Sequence, residues 1–469
     1  MNPSSTIAAT ATEPAAIDTH SATPTTDAGG RRLDLGTLLD DAPVRRGHMV
    51  TVAVLFGVLL IDGYDLHVTG QILPAIAAAF GVSTASLTSA YAVQPIGQAL
   101  GGLLLSPLAD RLGRRRSLVL LLALFGIATF LSVFASSVTE FAVTRFLAGA
   151  LGGALLPSAA SLVADISPVR RRSAMVGIVY AGLGVGPLVA AGIVATLLER
   201  IGWQGVYVIG AVAPMLIIVP ILLLAPESPL HLARTGAQAS DIRDALRRLH
   251  IDVPPGATFS VPVKASQRRI LLIEIFGGQR AAFTLVLWLT CVSGLLTITM
   301  FGLAASFFHD FEGIPVARFA AYAAMAGLMT IVAGVSTGFV MDRFGRYRVI
   351  AAYALLSAAS TVALATFPFG SPGFTAAMVC AGFFTWGSFQ GLNILTPIVY
   401  PARLRSAAVG WKGGVSRFAS SAAPLVGGVL LSHGVGLKVA MLATAAPMLL
   451  VALLAPLLFV LERRMQTDR

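Results

Sequence analysis

Apolar runs about twenty residues long recur along most of this chain, each bounded by a short polar stretch, and that recurrence leaves few folds open to it. About 20 consecutive apolar residues are what a helix needs to cross a hydrocarbon core of about 30 Å. A water-facing surface could not absorb them. Of the 469 residues, 56% are hydrophobic and only 12% charged, against about 25% charged in ordinary soluble domains. Twelve spans are expected, near residues 49–72, 87–108, 117–135, 140–162, 174–198, 206–225, 281–303, 319–340, 347–367, 374–399, 407–431 and 437–461. The sequence predicts an all-α polytopic membrane protein.

A net charge of +11 raises the question of nucleic acid, but its distribution answers otherwise. With these spans, 27 of the 33 Lys and Arg residues fall in the termini and loops of one side. Arg200, Arg318 and Lys438 lie on the other side, and Arg145, Lys412 and Arg417 lie within spans. This asymmetry is the positive-inside pattern, which places both termini in the cytoplasm. No nucleic-acid partner is expected; lipid is.

The longest polar interruption divides the spans six and six. The expected organisation is a disordered tail and interfacial segment over 1–44, a six-helix bundle over 45–225, a central loop over 226–280, a second bundle over 281–461 and a tail over 462–469. Within the first segment, 1–30 reads as disordered and 33–44 as interfacial. No h-region precedes residue 44, so no cleaved signal peptide is expected. The loop holds one expected helix, with Ser240 as N-cap and Ile242, Leu246 and Leu249 on one face. Cys291 and Cys380 both fall in spans, so neither a disulfide framework nor a CxxC metal site is available. With no nucleophile–base pair, metal cluster or nucleotide fingerprint, no enzyme activity and no cofactor are expected.

The halves repeat. Asp110-Arg111-Leu112-Gly113-Arg114 recurs as Asp342-Arg343-Phe344-Gly345-Arg346, and Pro168 with Arg172 recurs as Pro401 with Arg405. Two separate motifs with nearly one spacing between their copies point to a duplication.

Two aspartates interrupt span 1, Asp62 and Asp65. An ionised carboxylate at the bilayer centre costs about 2.5–3.5 kcal/mol on insertion scales, so two of them need a reason to be there. Three residues apart, they share a helix face. Two close carboxylates in a low dielectric do not readily both ionise, which makes one of them a group that could trade a proton. Which one is open.

At these residues the chain resembles the major facilitator superfamily, over roughly 33–461. The loop signature G-x3-D-R/K-x-G-R/K-R/K is matched by Gly338, Asp342, Arg343, Gly345 and Arg346, while the first copy carries Ser106 where the family has Gly. Pro226-Glu227-Ser228-Pro229 after span 6 is also family-like. Asp62-Gly63-Tyr64-Asp65 in span 1 is similar to the D-G-x-D of the bacterial aromatic acid:proton symporter family. Asp40-Asp41-Ala42-Pro43, Arg145, Tyr400-Pro401 with Arg405, and Arg417 support that match. The resemblance implies two six-helix repeats in the major facilitator fold, working by alternating access about a midplane site. It implies uptake of an aromatic carboxylate of the benzoate, hydroxybenzoate or protocatechuate type with protons, by a functional monomer in the bacterial inner membrane.

Residue roles follow from this. Asp62 and Asp65 are candidates for proton coupling, with Arg145 poised to pair with one of them; an interfacial snorkelling Arg145 is the alternative. Arg417, about ten residues into span 11, suits a substrate carboxylate or a structural clamp. Lys412, nearer the span end, is expected to snorkel. Trp386, Gln390 and Asn393 form one stripe and Tyr91, Gln94 and Gln98 another. Amides avoid lipid, so both stripes face either substrate or neighbouring helices. Trp288 is equally an interface anchor or a ligand contact. His67 projects away from the aspartates on an ideal helix and is set aside. Asp110, Arg111, Arg114, Asp165, Arg172, Asp342, Arg343, Arg346 and Arg405 are the expected gate. One rival is a drug or organic-anion:proton antiporter, weakened because Ala190-Ala191 replace the final glycines of the exporter motif begun by Gly182, Gly186 and Pro187. A transporter-derived sensor is the other.

Overall fold

Gly113 and Gly345, the glycines of the repeated loop motif, show why that motif exists. Both take φ in the left-handed region, +100° and +91°, where a side chain is strained, and each opens a helix running back into the bundle. At Gly113 a Cβ would also collide with the Glu227 carboxylate.

The computed structural model describes residues 32–105, 111–254, 257–260, 275–277, 280–400 and 402–467, with the backbone alone at 32, 173, 402–403, 405–407 and 466–467. The expected tail, Ser106, Asp110 and Pro401 lie outside the described residues, as does the Arg405 side chain.

In chain order the elements are β1 (Arg32–Asp34), α1 (Leu35–Asp40), α2 (Arg46–Phe80), α3 (Thr84–Leu104), α4 (Arg114–Leu131), α5 (Val138–Ile166) and α6 (Arg172–Leu224). Then come α7 (Pro229–Arg234), α8 (Ala239–Arg248), β2 (Thr258–Ser260), α9 (Arg280–Phe301), α10 (Ala304–Glu312) and α11 (Val316–Phe344). The last are α12 (Arg346–Ala363), α13 (Pro372–Val399), α14 (Ala402–Ser420), α15 (Ala422–Ser432) and α16 (Leu437–Thr467). Serines start several of them: the Ser83, Ser137 and Ser371 hydroxyls accept from the amides of Ser86, Glu140 and Phe374.

Eight helical stretches among the described residues are long and apolar enough to span a membrane on composition alone. One of them, α6, is two crossings: Gly202 takes φ +69°, ψ 176° and turns the chain back between spans 5 and 6. Spans 2, 9 and 10 are α3, α12 and α13, which carry more polar side chains than that criterion admits. Span 11 breaks at Ser421 into α14 and α15. This arrangement is consistent with the twelve expected crossings.

Helices of the first half approach closely where glycine allows it. A Cβ on Gly101 would overlap the Ala150 carbonyl, and one on Gly186 would overlap the Gly63–Tyr64 backbone. The row Gly149, Gly152, Gly153 therefore marks tight packing, mainly of α5 on α3 and at Gly152 on Asp62.

The apolar core is asymmetric along the membrane normal. At one end a single cluster joins the halves, with Tyr64, Val68, Ile72 and Tyr207 packed together with Met300, Leu303, Phe307 and Phe308. At the end bearing Gly113 and Gly345 there are two clusters, one confined to each half. Among the described residues the buried apolar core is thus continuous between the halves at one end and divided at the other.

The polar loop departs from expectation in three ways. Its amphipathic helix begins at Ala239 with Gln238 as N-cap, since the Ser240 hydroxyl bonds Gln238 Oε1 and caps nothing. A second short helix, α7, precedes it. The fold is also not purely helical, because β1 pairs in parallel with β2, Arg32 opposite Thr258 and Asp34 opposite Ser260. Leu35 and Leu39, expected at the membrane interface, are instead buried in protein with Ile242, Leu246 and Leu249.

Candidate functional site

Helix α2 presents two polar faces. On one, Asp65 is enclosed by donors: Arg145 Nη1 at 2.9 Å and Thr129 Oγ1 at 3.4 Å on Oδ1, Gln94 Nε2 at 2.8 Å on Oδ2. Arg145 is fully buried and reaches its partner from α5. Its other nitrogens donate to Ser132 Oγ at 2.6 and 3.2 Å, and its guanidinium lies 4.7 Å from the Tyr207 ring centre. Tyr207 in turn bonds Thr69 at 2.8 Å. A charge pair is costly to bury unless hydrogen bonds offset the lost water, and here both Asp65 oxygens and each guanidinium nitrogen of Arg145 have a partner. Arg145 does not snorkel. Gln94, a candidate substrate contact by sequence, is committed to Asp65.

Asp62 is equally buried, at 2% exposure, with no hydrogen bond or ion pair among the described residues. Its Oδ1 lies against Gly152, where a Cβ would approach to 2.8 Å. The Arg417 guanidinium of the other half acts on it through space, as it does on Tyr180. The two aspartates share a helix face but not an environment.

The opposite side of α2 meets the second half. His67 and Gln71 line a cavity of about 90 Å³ together with Pro187, Thr330, Thr385 and Trp386, closed by Phe301, Phe319 and small residues of α11 and α13. Thr330 Oγ1 also donates to Gly184 O at 3.2 Å, tying α11 to α6 beside it. Gln71 Oε1 is buried without a hydrogen-bond partner among the described residues. His67 Nδ1 sits 2.9 Å from Gly63 O, leaving its other nitrogen for the cavity. The helical wheel that placed His67 away from the aspartates is correct; that face is the one looking into the cavity. Gln71 went unremarked in the sequence, although its i, i+4 spacing from His67 was the available signal.

The remaining candidates divide. Trp386 is in the cavity wall. The Tyr91 hydroxyl lies beside Gly70 and Gly302, at the cavity's edge. Gln390 is half-buried and without a hydrogen bond among the described residues. Asn393 accepts from Lys412 Nζ at 2.5 Å. Lys412 is 4% exposed, so it is buried and does not snorkel. Trp288 packs edge-on to Phe276 at 5.2 Å, outside the cavity wall.

The Major Facilitator Superfamily sequence family matches residues 55–412 and, in a second stretch, 337–468. The chain belongs to the Major Facilitator Superfamily. It is 31% identical over 406 residues to a gallate transporter of Pseudomonas putida, covering 86% of this chain and 90% of that one. It is 27% identical over 406 residues to the 4-hydroxybenzoate transporter PcaK of Acinetobacter baylyi, covering 86% and 89%. Among solved structures it resembles the xylose transporter XylE of Escherichia coli in a partially occluded inward-open conformation, with TM-score 0.68, 18% identity and coverage of 87% and 97%. As a facilitator it is a multi-pass membrane transporter and not an enzyme.

Among the described residues, the facilitator loop motifs form ion pairs in the first half. Arg114 Nε lies 3.6 Å from Asp165 Oδ2, which also accepts from Ser228 Oγ at 2.8 Å. Glu227 accepts from the amides of Arg115 at 3.0 Å and Arg116 at 3.4 Å, placing an anion on the amino end of α4. In the second half Tyr347 donates to Glu462 at 2.5 Å, while Asp342 is exposed and makes no ion pair among the described residues. Arg343 lies over the adjacent Phe344 ring, Arg346 is half-buried and Arg111 is exposed. Arg172 pairs with Asp40 at 2.5 Å, binding the chain's first helix to the loop after α5 and bridging no gap between halves.

Proposed function

We propose that this transporter imports an aromatic carboxylate together with protons by alternating access. The observation that carries the reading is Asp62, a carboxyl buried in a membrane helix with no donor among the described residues. Such a group is suited to carry a proton instead of a charge. Asp65, held by Arg145, Gln94 and Thr129, is then the fixed anion that keeps the site's electrostatics constant.

The cavity supports the substrate class. It is small beside the roughly 300–1,000 Å³ of drug-sized sites, at about 90 Å³, and its walls are apolar with a few polar atoms. A single ring fits that description better than a large amphiphile. Trp386 offers a ring face, and Gln71 Oε1 an acceptor for a ring hydroxyl. The gallate and 4-hydroxybenzoate relatives are consistent with such a ligand.

The excess of Lys and Arg in the loops of the open end supports a cytoplasmic location for that end and for both termini, and the reading takes the protein as a monomer in a bacterial inner membrane. The bundles 45–225 and 281–461 rock about the shared apolar cluster, and the arginines of the repeated loops gate the cytoplasmic end. A monoanion with one proton crosses without net charge, and each further proton adds about 2.3 kcal/mol per 100 mV.

The test is uptake into proteoliposomes with an alkaline interior, across labelled benzoate, 4-hydroxybenzoate, 3,4-dihydroxybenzoate and 3,4,5-trihydroxybenzoate. Gradient-driven accumulation of at least one acid is expected, abolished by Asp62→Asn. Proton-driven export of hydrophobic dyes without accumulation of any acid would overturn the reading.

A further inference from the structure

Lys412 is a buried ammonium without an anion among the described residues. It is 4% exposed, and its one hydrogen bond is to a neutral amide, Asn393 Oδ1 at 2.5 Å. No carboxylate lies within ion-pair distance of it among the described residues. An ammonium has three donors, and one is used. With its oxygen turned to Lys412, Asn393 keeps two N–H donors free, so the pair offers donors only. A buried cation lacking its counter-charge is an unstable arrangement unless something supplies the charge.

The surroundings give that anion a route. Asn393 lies seven residues beyond Trp386 on α13, two helical turns, hence on the same face and about 10 Å nearer the open end. Gln390 lies between them on that face without a hydrogen bond of its own among the described residues. Open space adjoins Lys412 on one flank of α14, where a Cβ on Gly413 would meet no atom within 4 Å.

We propose that Lys412 and Asn393 form a second carboxylate station, receiving an aromatic acid between the central cavity and the open end. The proposal rests on the aromatic-acid reading above and adds to it the group that holds the carboxylate on release. The acid's carboxylate accepts from Lys412 Nζ and Asn393 Nδ2 while its ring slides along the Trp386–Gln390 face. Arg417, one and a half turns further along α14 and charged toward Asp62, is left for the proton-coupling side of the interface.

The test is equilibrium binding to the purified full-length protein, with 4-hydroxybenzoate and its neutral analogue 4-hydroxybenzamide as probes. Losing a charge-assisted hydrogen bond predicts that Lys412→Met weakens the acid at least about tenfold and the amide less than about twofold. Lys412→Arg, which keeps the charge, stays nearer wild type for the acid than Lys412→Met does. If Lys412→Met yields no folded protein, Asn393→Leu carries the test: the acid weakens and the amide does not. Equal weakening of acid and amide, or unchanged acid binding, overturns the station. Wild-type uptake in proteoliposomes is measured alongside. Intact uptake with an unmoved acid affinity sinks the station alone, whereas a wild type that binds and transports no acid sinks both readings.

Discussion

Arg145 Nη1 stands 2.9 Å from Asp65 Oδ1, with both side chains shut off from the surface. Removing one partner of such a pair leaves the other charge buried and alone, at a cost of about 3–5 kcal/mol. Arg145→Ala is therefore expected to lower the thermal stability of the detergent-solubilised protein severely. The double variant Asp65→Asn with Arg145→Gln removes both charges and should recover most of that loss. Thermal unfolding of the three proteins decides it; a double variant no more stable than Arg145→Ala would show that the charges are not the issue.

Asp62 should behave in the opposite way. It has no hydrogen-bond partner to orphan among the described residues, so Asp62→Asn is expected to leave unfolding within about 1 kcal/mol of wild type. Proton coupling is what it should lose. Counterflow exchange of 4-hydroxybenzoate, which needs no net proton movement, is expected to persist while accumulation against a pH gradient disappears. Asp65→Asn, by contrast, should lose both. Retained accumulation in Asp62→Asn would move the coupling role elsewhere.

Hydropathy and loop charge carried the sequence reading a long way, because lipid imposes span length and helical backbone whatever the detailed packing. The turn at Gly202 inside α6 falls between the expected spans 174–198 and 206–225, and the interruption at Ser421 falls inside the expected span 407–431, so both leave the twelve-span reading in place. The pairing of Arg145 with an aspartate was also legible, since a span-interior guanidinium has few other partners. What periodicity could not supply was which side of α2 meets the other half. The same wheel that grouped Asp62 with Asp65 set His67 aside, yet His67 and Gln71 face the cavity. Lys412 was misplaced for a related reason: depth along a helix does not say whether a neighbour such as Asn393 covers the side chain.

The glycine contacts make a sharper claim than small-residue composition does. A Cβ on Gly101 would overlap the Ala150 carbonyl, a backbone atom that cannot rotate away, whereas one on Gly192 would meet nothing within 4 Å. Overpacking of this kind costs about 1–3 kcal/mol. Gly101→Ala is expected to lower the unfolding temperature and Gly192→Ala to leave it unchanged. Equal behaviour of the two would contradict the close packing of α3 on α5.

Gln71 gives the last expectation. Its Oε1 is buried in the cavity wall with no donor, and an unsatisfied buried acceptor costs about 1–3 kcal/mol. A ring hydroxyl on the ligand relieves that cost by donating to it, and an unsubstituted ring does not. The preference for hydroxylated acids should therefore come from the protein's own unmet need, the same logic by which a site built around a substrate hydroxyl rejects analogues without one. Gln71→Leu removes the acceptor and the need together. It is expected to weaken 4-hydroxybenzoate about tenfold, or 1.4 kcal/mol, and to leave benzoate unchanged or slightly tighter. Competition of unlabelled acids against labelled benzoate uptake measures both in one series. Parallel losses for the two acids would mean that Gln71 shapes the cavity without reading the ring.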